Sequence, residues 1–304
     1  MSTEDSRALV RRYFEEINNR NLAVLDEVLS AEYVDHTPLP FPVPPGRDGT
    51  RQVAHSALRA TPDGWHRIKG QVADGEYVMT LIEAGGTFKE ALYDLQPTGQ
   101  PITMSGIALH RVQNGRLVEH WGISDFVSLF QQIGLIPRPP QAEGGPPPSV
   151  PQPVRGGRAP TRQEAEQLMA RFVELFNRAD LSIADEIMAP DFQADFTGLP
   201  PMPNREAWKG LVQGFLDAFS DFKLVPEHGL HDGEWVAGHW TWSARHTGEF
   251  MGIPATGRTV HVRGLGMYRV LDGRMVEEHT IEDMMALLVQ LGVAPAPPGQ
   301  AVPA

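Results

Sequence analysis

The chain has 304 residues, 38 of them acidic and 26 basic, with 41% hydrophobic residues and no cysteine. That apolar content can build two packed cores of ordinary domain size and excludes global disorder. The formal charge of -12 disfavours nucleic acid as a partner, and the missing cysteine excludes disulfides, thiol nucleophiles and Cys-ligated metals. The first residues, MSTEDSRALVRR, lack the apolar stretch of a secretory signal, and no window approaches the roughly 20 apolar residues of a membrane span. A cytoplasmic protein without membrane contact is the expectation.

Val10, Tyr13, Phe14 and Ile17 fall on one helical face and predict an amphipathic first helix. A short helix is expected over Leu22–Leu29 and a third over Arg47–Ala60. The period then changes from helical to alternating. Asp74-Gly75 and Asn114-Gly115 read as tight hairpin turns. Strands are expected at Tyr77–Glu83, Ile102–Val112 and Arg116–Ile123. A closing helix, Phe126–Ile133, stops at Gly134, where a left-handed C′ residue is favoured.

Nine prolines then occur in the 24 residues from Pro137 to Pro160, a composition that predicts a semi-rigid linker. Beyond it the first pattern returns. With the chain shifted by 158 residues, 19 of the 74 positions from Thr61 to Gly134 are identical without a gap; chance gives about 6%. Leu168, Phe172, Leu175 and Phe176 repeat the first helix, followed by helices at Ser182–Met188 and Arg205–Ser220. Strands are expected at Trp235–Trp242, Val260–Val270 and Arg274–Ile281, before a last helix at Met284–Leu291. The chain is therefore a duplicated domain: copy one at 1–136, linker at 137–160, copy two at 161–295, and a flexible tail at 296–304. Helices followed by a meandering antiparallel sheet make each copy α+β, with one curved sheet and helices on its concave face.

Copy two carries Arg245-His246-Thr247-Gly248-Glu249-Phe250-Met251-Gly252-Ile253-Pro254-Ala255-Thr256-Gly257-Arg258, then Val262-Arg263-Gly264, Val276-Glu277-Glu278-His279, Asp283 and Gln290-Leu291-Gly292. Copy one carries Pro97-Thr98-Gly99, Glu119-His120-Trp121, Asp125 and Gln132-Ile133-Gly134. Together these residues resemble the SnoaL-like polyketide cyclase family, of the nuclear transport factor 2-like superfamily of cone-shaped α+β barrels. The resemblance implies two tandem barrels and general acid/base ring closure of an apolar, carbonyl-bearing secondary metabolite, with no cofactor and no metal. It also implies sheet-to-sheet packing of the two copies as an intramolecular pseudo-dimer, with further homo-oligomerisation left open.

Carried onto this sequence, the resemblance makes Asp125 and Asp283 the catalytic carboxylates. Proton removal next to a carbonyl needs a base near the working pH, which a desolvated carboxylate can be. Both residues also precede the final helix, where Asp caps backbone amides and contributes about 0.5–2 kcal/mol, so both roles stand. His110 and its counterpart Tyr268 can donate a hydrogen bond to a developing oxyanion. Trp121, His246 and His279 are expected as pocket walls or donors. Asp35, His36 and Asp195 follow the second helix, where related epoxide-opening enzymes place a carboxylate. The apolar loop Pro38–Pro45, shorter in copy two at Leu199–Pro203, is a candidate roof over the pocket. The rival readings are an epoxide hydrolase or polyether-type cyclase, which needs two carboxyls in one cavity, and a non-catalytic ligand-binding or interaction module.

Overall fold

The computed structural model describes residues 2–37, 39, 41–136 and 156–294, which fall into two compact units, one on each side of the proline-rich stretch. Most of the expected linker, the C-terminal tail, and Pro38 and Pro40 of the proline loop lie outside the described residues. In the first unit the order is α1 (Thr3–Asn18), α2 (Val24–Val28), β1 (Leu29–Asp35), α3 (Gly46–Ala60), β2 (Trp65–Asp74), β3 (Tyr77–Thr87), β4 (Pro101–Gln113), β5 (Arg116–Ser124) and α4 (Phe126–Gln132). The second unit repeats it as α5 (Arg162–Arg178), α6 (Ser182–Ile187), β6 (Met188–Phe196), α7 (Arg205–Ala218), β7 (Phe219–Asp232), β8 (Trp235–His246), β9 (Thr259–Leu271), β10 (Arg274–Glu282) and α8 (Met284–Leu291). Among the described residues no helix is long and apolar enough to cross a membrane.

Local chemistry explains the boundaries. The α1 and α5 helices open with capping boxes, Ser2 with Asp5 and Thr161 with Glu164, each satisfying two otherwise orphaned donors. The α1 face carrying Val10, Phe14 and Ile17 is buried, as is the α5 face carrying Leu168, Phe172 and Leu175. Asn114-Gly115 and Asp272-Gly273 both take positive φ at two successive residues, the backbone of a tight hairpin turn whose twist matches the flanking strands.

Each sheet has five strands, in the orders β1-β5-β4-β3-β2 and β6-β10-β9-β8-β7. One expectation is corrected here: the sheets are mixed, because β1 and β6 join β5 and β10 in parallel. The sequence hides these strands. Each leaves its short helix without a turn, and its register slips between the first and later pairs, so no clean alternation survives. Register shifts also interrupt the terminal strands, at Ile68/Gly70 in β2 and at Ser220/Lys223 and Pro226/His228 in β7.

The final hairpins hold the bulges that matter most. A two-residue turn carried on without interruption would set His110 opposite Glu119 and Tyr268 opposite Glu277. Instead the register shifts between Arg111 and Val112 and between Met275 and Glu277. His110 therefore lies opposite His120, and Tyr268 opposite Glu278. A bulge of this kind moves every later side chain to the other face.

The second core is strongly aromatic, and two glycines make it fit. A Cβ on Gly264 would lie 2.3 Å from Trp240 Nε1, and one on Gly266 would lie 2.9 Å from Trp240 Cη2. The Trp240 indole thus lies across β9 on a strip without side chains. Gly264→Ala should destabilise copy two by about 1–3 kcal/mol, the usual range for overpacking. Gly238→Ala, whose Cβ would meet Trp240 at an ordinary 3.4 Å, should cost less than half as much in the same urea titration.

Candidate active site

In copy one the inner face of the sheet, under α1, gathers Asp35, His110 and His120. Asp35 Oδ1 lies 3.0 Å from His120 Nδ1 and accepts the Thr37 backbone N–H at 2.9 Å. The Thr37 hydroxyl is 3.1 Å from the same His120 nitrogen, and the Thr50 hydroxyl reaches Asp35 Oδ2 at 3.5 Å. Burial pushes the Asp35 carboxyl up, but His120 and the Thr37 donors outweigh it and hold it well below the usual carboxylate range. Asp35 is therefore an anion that orients His120, the arrangement that fixes an imidazole tautomer and leaves its other nitrogen free to work. The dyad is open enough to be reached: the Asp35 and His120 side chains are 22% and 17% exposed.

His110 stacks on His120 with ring centroids 4.6 Å apart and is packed by Tyr13 and Phe14 of α1. Burial, then the neighbouring His120, drives its pKa well down, so the ring is neutral near pH 7. Its Nδ1 is buried without a hydrogen bond. Tyr13 and Tyr33 lie in the same interior with hydroxyls that burial keeps protonated.

Copy two replaces this chemistry position by position. Tyr268 stands where His110 stands, Glu278 where His120 stands, and Ala194 where Asp35 stands. Glu278 is 1% exposed and accepts the Thr280 hydroxyl at 2.7 Å, while burial pushes its pKa up to about 7. Glu282, farther along the same face, accepts the indole N–H of Trp240 on Oε1 at 3.1 Å and that of Trp242 on Oε2 at 2.9 Å. Burial pushes Glu282 up to about 8.

The other sequence candidates are placed as follows. Asp125 caps α4, accepting the Ser128 backbone N–H at 2.9 Å, and Asp283 caps α8, accepting that of Ala286 at 3.0 Å. Burial raises the Asp283 pKa, against the Ala286 amide and Arg263. Trp121 stacks on His36 at 4.7 Å, and His279 stacks near Trp235 at 6.2 Å. The bulges set both on the outer face, away from His110 and Tyr268. His279 bonds Glu277 at 2.8 Å and lies 3.7 Å from Asp195; against the pull of burial, these two carboxylates raise its pKa to about 9.

Asp195 is 54% exposed and is the counterpart of His36, whereas Asp35 corresponds to Ala194. Asp195 therefore lies on the opposite face of its strand from the position of Asp35. His246 is wholly buried, and its Nδ1 accepts the Thr256 backbone N–H at 3.2 Å. Its backbone clasps the loop from 247 to 257 through Arg258 and Gly257. Phe88 clasps the loop from 89 to 99 in the same way through Gln100 and Gly99. The His246 ring is therefore part of a loop clamp.

Sequence reasoning gave no catalytic role to Glu278 or Glu282 and named His120 only as part of the Glu119-His120-Trp121 pattern. The signal that would have found them is the hairpin bulge, which reverses the parity of β5 and β10 relative to β4 and β9.

A model of the SnoaL-like polyketide cyclase family matches residues 7–133 and 166–291. The chain is 27% identical over 136 residues to the aklanonic acid methyl ester cyclase DauD of Streptomyces sp. strain C5, a match spanning 43% of this chain and 84% of that protein. It is 27% identical over 124 residues to the nogalonic acid methyl ester cyclase of Streptomyces nogalater, spanning 40% of this chain and 91% of that protein. Among solved structures, TsrD from Streptomyces laurentii is similar over 44% of this chain and 99% of its own, at 23% identity and a TM-score of 0.42. IdmH from Streptomyces antibioticus is similar over 42% of this chain and 99% of its own, at 36% identity and a TM-score of 0.39.

The buried acids fix a pH dependence. Their folded pKa values of about 7 and about 8 lie above the unfolded value near 4.5, so the folded state holds protons that the unfolded chain has released. Their stabilising contribution is complete below about pH 4.5 and is lost as pH rises through 7 to 8. Above pH 7, where His66, His110 and His246 with their lowered pKa values are already neutral, the urea midpoint should fall up to pH 9, and His279, raised to about 9, adds to the loss in the same window. In Glu282→Gln the fall between pH 7 and 8 should become shallower; an unchanged slope there would contradict the assignment.

Proposed function

The chain belongs to the SnoaL-like polyketide cyclase family, and from that premise we propose that it closes a ring in a carbonyl-bearing polyketide ester by general acid/base catalysis. The observation that carries the reading is the 3.0 Å hydrogen bond between Asp35 and His120 on the inner face of copy one, partly open to solvent. With His120 Nδ1 tied to an anionic carboxylate, Nε2 is the free base. It takes a proton from the carbon next to a carbonyl; the electron pair left behind attacks a second carbonyl of the same molecule. The alkoxide so formed recovers the proton from His120. Substrate, product and protein balance without an oxidant, a reductant or a cofactor.

The other groups fit supporting roles. Neutral His110 and the protonated Tyr13 and Tyr33 hydroxyls can donate to the enolate oxygen without presenting a competing cation. Asp125 and Asp283 remain rival bases from the family pattern. Each already accepts a backbone amide from the first turn of its helix, which accounts for the residue as a cap, although burial raises the Asp283 pKa despite that bond. An epoxide-opening reading requires a second carboxyl beside Asp35, and the partners there are Thr37, Thr50 and His120.

The test is cyclisation of aklanonic acid methyl ester, followed by chromatography of the isomeric product. His120→Gln should reduce kcat/KM by about 10²–10⁴-fold, the usual worth of a positioned base, and Asp35→Asn by a smaller factor. Asp125→Asn should leave the rate within a few fold. Full activity in His120→Gln together with loss in Asp125→Asn would transfer the role to the helix-cap aspartate.

A further inference from the structure

Copy two lacks the Asp–His dyad, yet its interior is not inert. Both oxygens of Glu282, on β10, are held by indole N–H groups that arrive from β8, across the intervening strand β9. Trp240 can reach Glu282 only because β9 carries glycine at 264 and 266 beneath it. Deeper on the same face, the Tyr268 hydroxyl, the Trp208 indole nitrogen and Glu278 Oε2 are fully buried and lack a hydrogen bond of normal geometry. Tyr268 neighbours Trp240 with ring centroids 6.5 Å apart, so these groups share one interior. Phe176, Phe215, Phe222, Phe250 and Met284 are only partly buried and pack onto that core, giving it an aromatic rim.

We propose that copy two holds a second acid–base site, in which Glu282, clamped by Trp240 and Trp242, removes a proton from the carbon next to the carbonyl of a flat aromatic ketone or ester. This rests on the reading above only for the carbonyl class of substrate. The Glu282 carboxylate takes the proton, and the C–H electron pair becomes the enolate. The Tyr268 hydroxyl, buried on the same face without a hydrogen bond of normal geometry, is a neutral donor for the enolate oxygen, and burial keeps it protonated. The proton returns from Glu282 to carbon, or to the alkoxide when the enolate closes a ring. Two indole donors fix the rotamer of the carboxylate without supplying a cation; they lower its pKa, and burial outweighs them. The ionisable neighbours that set its titration are Glu278, Asp283 and Tyr268, with Arg263 acting on Asp283. The two copies would then carry different bases at different points of the same fold: imidazole on the first, carboxylate on the second.

The experiment uses the full chain and the bicyclic ketone 2-tetralone in D2O, with deuterium incorporation next to the carbonyl followed by proton NMR and the buffer rate subtracted. It is run in the His120→Gln background, where the dyad of copy one is silent. The expected result is exchange that rises with pH to a plateau above about 8. Glu282→Gln should reduce it at least about 100-fold, and Asp283→Asn by less than about threefold. Trp242→Phe, which removes one donor to the carboxylate, should move the pH midpoint upward, and it keeps the test decisive if Glu282→Gln fails to fold. Exchange no faster than buffer, exchange unaffected by Glu282→Gln, or a midpoint unmoved by Trp242→Phe would each overturn the proposal. Failure here with cyclisation still dependent on His120 would leave the function of copy one standing; loss of both would remove the family chemistry from this chain altogether.

Discussion

One extra residue in the last hairpin of each copy decides which side chains meet in the interior. The slip between Arg111 and Val112, and its repeat between Met275 and Glu277, turns the following strand by one position. Because side chains alternate strictly along a strand, that single residue exchanges the inward and outward sets. His120 and Glu278 go in, and Trp121 and His279 go out. The dyad with Asp35 then depends on a second register, the parallel pairing of β1 with β5, which sets Asp35 beside His120. The site in copy one is thus the crossing point of an antiparallel and a parallel pairing, and neither alone would assemble it.

Copy two keeps the scaffold and alters the electrostatics. Where copy one sets a carboxylate against an imidazole, copy two sets carboxyls among indoles and a phenol. The consequence follows from desolvation. A carboxylate beside His120 is held low, whereas carboxyls with only neutral donors around them are pushed to about 7 and 8. The same cone yields an anionic carboxylate tied to an imidazole on one side and protonated or half-protonated acids on the other. Duplication allowed the two interiors to diverge while hairpin turns, bulges and capping boxes stayed in place.

Much of this was legible in the chain. The repeat, the amphipathic faces of α1 and α5, the Asn114-Gly115 and Asp272-Gly273 turns, and the closing helices all follow from periodicity and turn chemistry. Those signals are local, within a few residues of the structure they specify. Asp35 and His110 were also readable as chemistry-bearing residues. The illegible part is what depends on pairing at a distance. The parallel strands β1 and β6 have no turn to announce them, and the bulges have no composition of their own. From local pattern alone, Trp121 and His279 looked as suitable for a pocket as His120 and Glu278. The same limit hides that Asp35 and Asp195, both following the second helix of their copy, lie on opposite faces of their strands.

The interrupted register of the terminal strands has a consequence beyond the site. The β2 and β7 strands end their sheets, and each presents backbone donors and acceptors in a row that another chain could extend. The shifts at Ile68/Gly70, Ser220/Lys223 and Pro226/His228 break that row, and Pro226 removes a donor outright. Arg67, Lys69 and Lys223 add charge along the same strands. A protein built of two open sheets doubles its exposure to edge-to-edge polymerisation, and irregularities of this kind work against it.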